Sequence, residues 1–196
     1  MSVELDICNS AIIKLGGTPI DDLLADTKEA RLCNMQYPKI RDAALRSAPW
    51  SFATKRKVLT PVDPVPLEFI NGGEFVFQQP IDCVKVWKLW EQPYVKFRVE
   101  GRYIIADTNT INLYYVTKAA AVDSYDAAFM ETIANLLAAD LCYSLTGSTS
   151  LMQSLQGTAD FWMNQARSYN SQEGTPDNFQ FDSFEGSRIG GRAFYD

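Results

Sequence analysis

The chain has 196 residues, of which 46% are hydrophobic, and it carries 18 Lys and Arg against 24 Asp and Glu, for a net charge of -6. This length and composition are enough for one globular domain with a sizeable core. The chain has no histidine, which excludes Ser-His and Cys-His nucleophile pairs and removes the commonest metal ligand, while its acidic balance disfavours tight binding to phosphates.

The cysteines and the hydropathy pattern both bear on where the chain works. Four cysteines are widely spaced and include no Cys-x-x-Cys pair, so we expect reduced, buried thiols in a protein made in a cytoplasm; they are Cys8, Cys33, Cys83 and Cys142. No apolar run reaches the ~18 residues that a membrane helix needs. Glu4 and Asp6 stand where a signal peptide carries positive charge. We therefore expect neither a membrane anchor nor a cleaved leader.

Two helices are predicted at the start of the chain. The first spans about Val3 to Leu15 and ends at a Gly-Gly pair. The second begins near Asp26, which forms a capping box with Glu29 three residues later. Its apolar stripe is Cys33, Tyr37, Ile40 and Ala44. Because Pro38 lies within this stripe, we expect a kink or a break near Tyr37.

From about residue 53 to residue 118 the pattern changes from helical to strand-like. Val95, Phe97 and Val99 alternate with charged residues, which predicts a strand with one buried and one solvated face. Glu100-Gly101 predicts a tight hairpin turn into the next strand. Further short strands are predicted at Phe75 and Phe77, Val84–Leu89, Arg102–Ile105 and Ile111–Tyr115. An antiparallel sheet module inserted between helices is therefore expected.

The stretch from Asp126 to Tyr169 predicts the two longest helices, each about 30 Å long. Apolar residues recur at spacings of three and four on both; they are Phe129, Ile133, Leu136, Leu137 and Leu141, then Leu151, Leu155, Ala159, Trp162, Ala166 and Tyr169. Between them, Gly147 closes the first helix, and Ser148 or Thr149 caps the second. We predict an antiparallel hairpin.

Residues 175–196 follow Gly174 and obey no helical or strand period. They contain five aromatic residues among small, flexible and charged ones, which is too apolar for a solubility tail. They are also too short and irregular for a core of their own. We predict that this tail binds a surface, either on its own domain or on another chain.

Two smaller features allow more than one interpretation. Lys55-Arg56-Lys57 is the one basic cluster, and it either contacts DNA or is a solvated face, as most charge runs are. Trp87 and Trp90, three residues apart in a predicted strand, fall on opposite faces, so one is expected to be exposed at an interface. Trp50 and Phe52 are expected to anchor the helices against the sheet.

Five short segments, in this order, resemble a known family across nearly the whole chain. They are Leu15–Pro19, Arg41–Ala53, Gln79–Cys83, Val99–Arg102 and Ala138–Gly147. Their ordered set is similar to the tail tubular protein A family of short-tailed bacteriophages, the head-to-tail adaptors. This resemblance implies a structural virion protein rather than an enzyme, with no cofactor and no metal.

The resemblance also implies partners and a place in the virion. Family members form a ring of twelve copies between the portal ring and the tail nozzle protein, around the channel through which DNA passes without sequence-specific binding. A C-terminal extension docks on the portal. Carried onto this chain, the docking residues are Phe179, Phe181, Phe184, Arg188, Ile189, Arg192, Phe194 and Tyr195. Such a protein is assembled in the host cytoplasm and resides at the head-to-tail interface of the virion.

The expected fold is α+β and mainly α. Residues 1–52 and 119–174 form an antiparallel helical bundle, residues 53–118 form the inserted β module, and residues 175–196 form the extended docking tail. Two alternatives stay open from the sequence. A virion-associated glycan hydrolase needs only a pair of carboxylates and no histidine, although no Asp or Glu pair is singled out by spacing. Another minor tail or capsid component would use the same tail.

Overall fold

The computed structural model describes residues 2–66 and 74–173. The fold is α+β and mainly α, as predicted. Four α-helices are present in this part of the chain: α1 (Val3–Lys14), α2 (Lys28–Arg46), α3 (Ala127–Thr146) and α4 (Thr149–Gln172). Six strands lie between α2 and α3: β1 (Thr54–Leu59), β2 (Phe75–Gln78), β3 (Cys83–Leu89), β4 (Phe97–Glu100), β5 (Tyr103–Ala106) and β6 (Ile111–Thr117).

The start of α2 differs from the prediction by one residue. Its N-cap is Thr27, whose hydroxyl accepts a hydrogen bond from the Ala30 amide at 3.2 Å. Asp26, predicted as the cap, instead lies 3.5 Å from Arg31 and is almost fully exposed. Both residue types satisfy free amides at a helix start, so the sequence allowed either position.

Of the kink or break predicted near Tyr37, the break does not occur: α2 is continuous from Lys28 to Arg46 with Pro38 inside it. A proline in a helix removes one backbone hydrogen bond. Here Tyr37 and Leu45, on either side, are buried in the core. Burial of these side chains offsets the lost hydrogen bond and keeps both halves in one helix.

The predicted stop of α3 at Gly147 and start of α4 at Ser148 are confirmed. Gly147 has a φ of 70° and closes α3 with its amide bonded to the Tyr143 carbonyl. The hydroxyl of Ser148 then accepts from the Leu151 amide and caps α4. α3 contacts all three other helices, whereas α4 packs mainly on α3. The stop predicted at Gly174 lies just outside the described residues.

The strands form two three-stranded antiparallel sheets. Sheet A has the order β1-β6-β3, and sheet B has the order β2-β5-β4. The predicted turn at Glu100-Gly101 is present, with Gly101 at a φ of 57° and Glu100 paired with Tyr103. β1 was not among the predicted strands, since Lys55, Arg56 and Lys57 leave it without apolar alternation.

Two hydrophobic cores stabilise the helices and the sheets of the described residues. The first joins the four helices and reaches into the sheet at Val116. Trp50 and Phe52 belong to it; the Trp50 ring centre lies 4.8 Å from that of Phe129, and its Nε1 donates to the Ala44 carbonyl at 3.1 Å. The second core lies in the β module and takes side chains from both sheets: Leu59, Phe77, Leu89, Ile104, Ala106, Ile111, Leu113 and Tyr115.

All four cysteines are free, and three of them are buried. Cys8 on α1 and Cys33 on α2 are hydrogen-bonded neighbours; this contact and burial raise the pKa of the Cys8 thiol.

Within residues 2–66 and 74–173, no helix combines the length and apolar character that crossing a bilayer requires.

Candidate assembly surfaces

The eight predicted docking residues lie between 174 and 196, outside the described residues. What the structure does give is the place from which this tail departs. At the end of α4, the Ser51 amide donates to Asn170 Oδ1 at 2.7 Å, and the Asn170 side chain donates to the Pro49 carbonyl at 3.2 Å. The Ser51 hydroxyl donates to the carboxylate of Glu173. The tail therefore begins beside Ser51, three residues before β1 starts.

The outer face of α4 is a candidate contact surface. Only Asp160 and Arg167 are charged among its 24 residues. Phe161 is 56% exposed and Tyr169 is 46% exposed, although helix surfaces in solution usually carry many charges. Depletion of charge with exposed aromatic rings is the composition found at the centre of protein–protein interfaces.

The strand predicted to have a buried face, β4, is exposed along its whole length, so that prediction is wrong. Phe97 and Val99 are 36% and 46% exposed, and Tyr94 just before them is 92% exposed. β4 pairs only with β5 among the described strands, so it is an edge of sheet B. Alternation along a strand does not show whether its apolar face is covered within one chain. An exposed apolar edge strand is a second candidate contact surface.

The basic cluster Lys55-Arg56-Lys57 is exposed on β1 and its members have different environments. Lys55 Nζ lies 3.0 Å from Asp82. The Arg56 guanidinium lies 3.6 Å from the ring centre of Trp90, in a cation–π contact. No ion pair joins Arg56 or Lys57 to a carboxylate of the described residues, so both charges are open to a partner.

Around Arg56, aromatic and basic side chains form one patch on sheet A. The Trp90 and Tyr114 ring centres are 5.7 Å apart, and Lys88 Nζ lies 5.2 Å from the first and 5.8 Å from the second. Trp90 Nε1 donates to the adjacent Glu91 carboxylate at 2.9 Å. A shallow groove of about 250 Å³ runs along this patch and is lined by Arg56, Lys57, Val58, Trp90, Asn112 and Leu113.

The two tryptophans of this region have different surroundings. Trp87 is 37% exposed and lies under Lys85 Nζ at 4.5 Å. Trp90 is half-buried beneath Arg56. The sequence predicted one exposed tryptophan but not the cation–π contacts. The contact between Arg56 and Trp90 depends on the pairing of β1 with β6, which the sequence pattern did not reveal.

Asp82, in the turn before β3, connects β1 and β6 through its side chain. It accepts hydrogen bonds from Thr117 at 2.7 Å, Lys55 at 3.0 Å and Tyr115 at 3.3 Å. The Thr117 hydrogen bond, aided by Lys55, holds the pKa of Asp82 below its usual value against the effect of partial burial. Burial, with the Asp82 charge, raises the pKa of Tyr115 to about 12 and that of Cys83 to about 11.

The environment of Asp82 does not suit the role of a general acid. A glycosidase needs one carboxylic acid with a raised pKa, whereas the pKa of Asp82 is lowered. Among the described residues there is also no group of three or more Cys, Asp or Glu side chains placed to hold a metal ion.

No protein-family model matches the chain, and a search of curated proteins gives no match either.

Proposed function

We propose that this protein is the head-to-tail adaptor of a short-tailed bacteriophage, a structural virion protein that forms a ring of twelve copies, binds the portal ring and connects it to the tail nozzle. The ordered set of segments from Leu15 to Gly147 motivates the proposal. The single structural observation that supports it best is the exposed, charge-poor outer face of α4, because a subunit that functions alone has no use for such a surface.

A ring has a specific structural requirement that the described surfaces can meet. Subunits that associate head to tail need two different lateral surfaces, and the angle between them sets the copy number. The α4 face and the exposed edge of β4 are chemically different surfaces on different parts of the fold. In this proposal they supply contacts to neighbouring subunits or to the nozzle, while residues 175–196 bind the portal.

The overall charge suits a channel that DNA must pass through. Tight DNA binding comes from neutralisation of phosphates by many Lys and Arg side chains. With a net charge of -6, the adaptor would surround DNA without retaining it.

The test is the mass of the assembly by multi-angle light scattering. Full-length protein and a truncation after Gly174 are each measured alone and mixed with the portal ring of the same phage. We expect the full-length protein to join the portal in multiple copies and the truncation to stay unbound. Equal binding by the truncation would remove the tail from the docking role. If neither form binds, the adaptor proposal is wrong.

A further inference from the structure

β1 presents a basic edge on sheet A. It pairs with β6, and no described strand lies on its other side. Residues 55–58 of this edge are all exposed, and Val58 is 64% exposed. An edge strand leaves backbone amide and carbonyl groups available for another strand. Its lysines hinder neutral or basic strands but attract an acidic one.

The chain itself delivers an acidic segment to this place. Glu173 is held at Ser51, and one 3-10 turn, Ser51–Ala53, separates this contact from β1. That turn spans about 6 Å, and residues 174–176 can extend over about 10 Å. Residue 177 can therefore reach the first residue of β1, and a segment that continued from there towards Leu59 would run in the same direction as the strand.

The composition of residues 177–185 matches the β1 edge. This segment contains three carboxylates and no basic residue, whereas residues 186–196 contain the two arginines of the tail. Phe179 and Phe181 are spaced by two, which places both rings on one face of an extended chain. Val58 and the groove that extends from it towards Trp90 offer apolar surface next to that edge, and no carboxylate of the described residues pairs with Arg56 or Lys57.

We propose that residues 177–185 of this chain bind along the basic edge of β1 in the unassembled subunit, as a parallel strand added to sheet A. β1 is about 20 Å long, so about six residues of the segment cover it. The added strand supplies backbone hydrogen bonds, and its side chains supply the specificity. The proposal does not depend on the adaptor role. If that role holds, portal docking requires the segment to leave β1.

The test is photo-crosslinking of the full-length protein with p-benzoylphenylalanine in place of Phe181. Linked peptides are identified by mass spectrometry. An equal mixture of isotope-labelled and unlabelled protein separates links within one chain from links between chains. We expect links from position 181 to residues 54–59 or to Trp90, within one chain. No portal is present, so the result is independent of the proposed function.

Charge variants decide whether the contact is specific. Lys57→Glu should lower the yield of this link by about fivefold, since an attraction becomes a repulsion. Lys39→Glu, the same change on the exposed side of α2, should leave it unchanged, and adding Asp182→Lys to Lys57→Glu should restore it. Circular dichroism verifies that each variant is folded. Links found only between chains, or a yield that Lys57→Glu does not alter, would overturn the proposal.

Discussion

Asp82 shows how one side chain connects sequence, packing and pH dependence. Its carboxylate accepts from Thr117, Lys55 and Tyr115, and its carbonyl accepts from the Lys118 amide at 2.9 Å. These contacts join the residue before β3 to the start of β1 and the end of β6. The segment Gln79–Cys83 was notable in the sequence only through the family resemblance. The hydrogen bonds that give Asp82 its role come from two strands distant in the chain, β1 and β6, and no local pattern reveals them.

We expect Asp82→Asn to lower the free energy of unfolding at pH 7 by about 1 kcal/mol, a value reduced by partial exposure to solvent. The pKa of Asp82 is lower in the folded protein than the ~3.9 of an unfolded chain. Its stabilising contribution is therefore complete above that unfolded value and is lost as the pH falls through the folded pKa. Urea unfolding at pH 7 and below pH 4 measures this loss.

The control for Asp82 is Asp123→Asn, which removes the same charge at an exposed position. It should change the unfolding free energy by less than about 0.5 kcal/mol at either pH. If Asp82→Asn lowers the free energy of unfolding as much below pH 4 as it does at pH 7, the ionised carboxylate is not the stabilising group.

Among the elements, the helices were predicted well because their signals are local. Gly147 and Ser148 lie between two apolar stripes of helical period, and the structure has the helix boundary there. The predicted N-cap of α2 was one residue too early because Asp26 and Thr27 are both good N-cap residues. The error at β4 has a different origin, since exposure of Phe97 and Val99 depends on which strand lies beside them. A sequence pattern gives the period of a strand but not its neighbours.

Two glycines of the α3–α4 hairpin should respond to alanine in opposite directions. Gly147 has a φ of 70°, a conformation that costs a residue with a Cβ about 1–2 kcal/mol. Gly147→Ala should therefore destabilise the protein by about that amount. Gly157 lies inside α4, and a Cβ added there meets open space. Gly157→Ala should stabilise the protein by up to about 1 kcal/mol, because alanine favours helix.

Urea or thermal unfolding, followed by circular dichroism, measures both glycine variants under the same conditions. The two variants serve as controls for each other, since each adds one methyl group to the same hairpin. Equal effects of the two would contradict the assignment of the turn at Gly147 and of helix at Gly157.

For the whole molecule, the sequence shows the composition of a surface but not its location. The charge-poor composition of α4 is visible in the sequence, where only Asp160 and Arg167 interrupt 24 residues. Which of its residues remain exposed depends on how α3 covers the other face. The basic cluster likewise divides only after β1 has joined sheet A: Lys55 pairs with Asp82, Arg56 lies on Trp90, and Lys57 has no ion-pair partner among the described residues.

If the outer face of α4 is a contact between subunits, a charge at its centre should prevent assembly without unfolding the monomer. Phe161 is 56% exposed, so Phe161→Lys leaves the core intact, but in a ring it places an unpaired charge in a buried contact, at a cost of several kcal/mol per interface. We expect at least a tenfold loss of subunits bound per portal ring by light scattering.

Leu24→Lys introduces the same charge at a site 80% exposed in the loop before α2 and should assemble normally. Because each subunit in a closed ring contributes the same face, the defect recurs at every contact, and even a partial loss of lateral affinity should leave rings incomplete. Normal assembly by Phe161→Lys would exclude α4 as the lateral contact and leave the β4 edge as the surface to test.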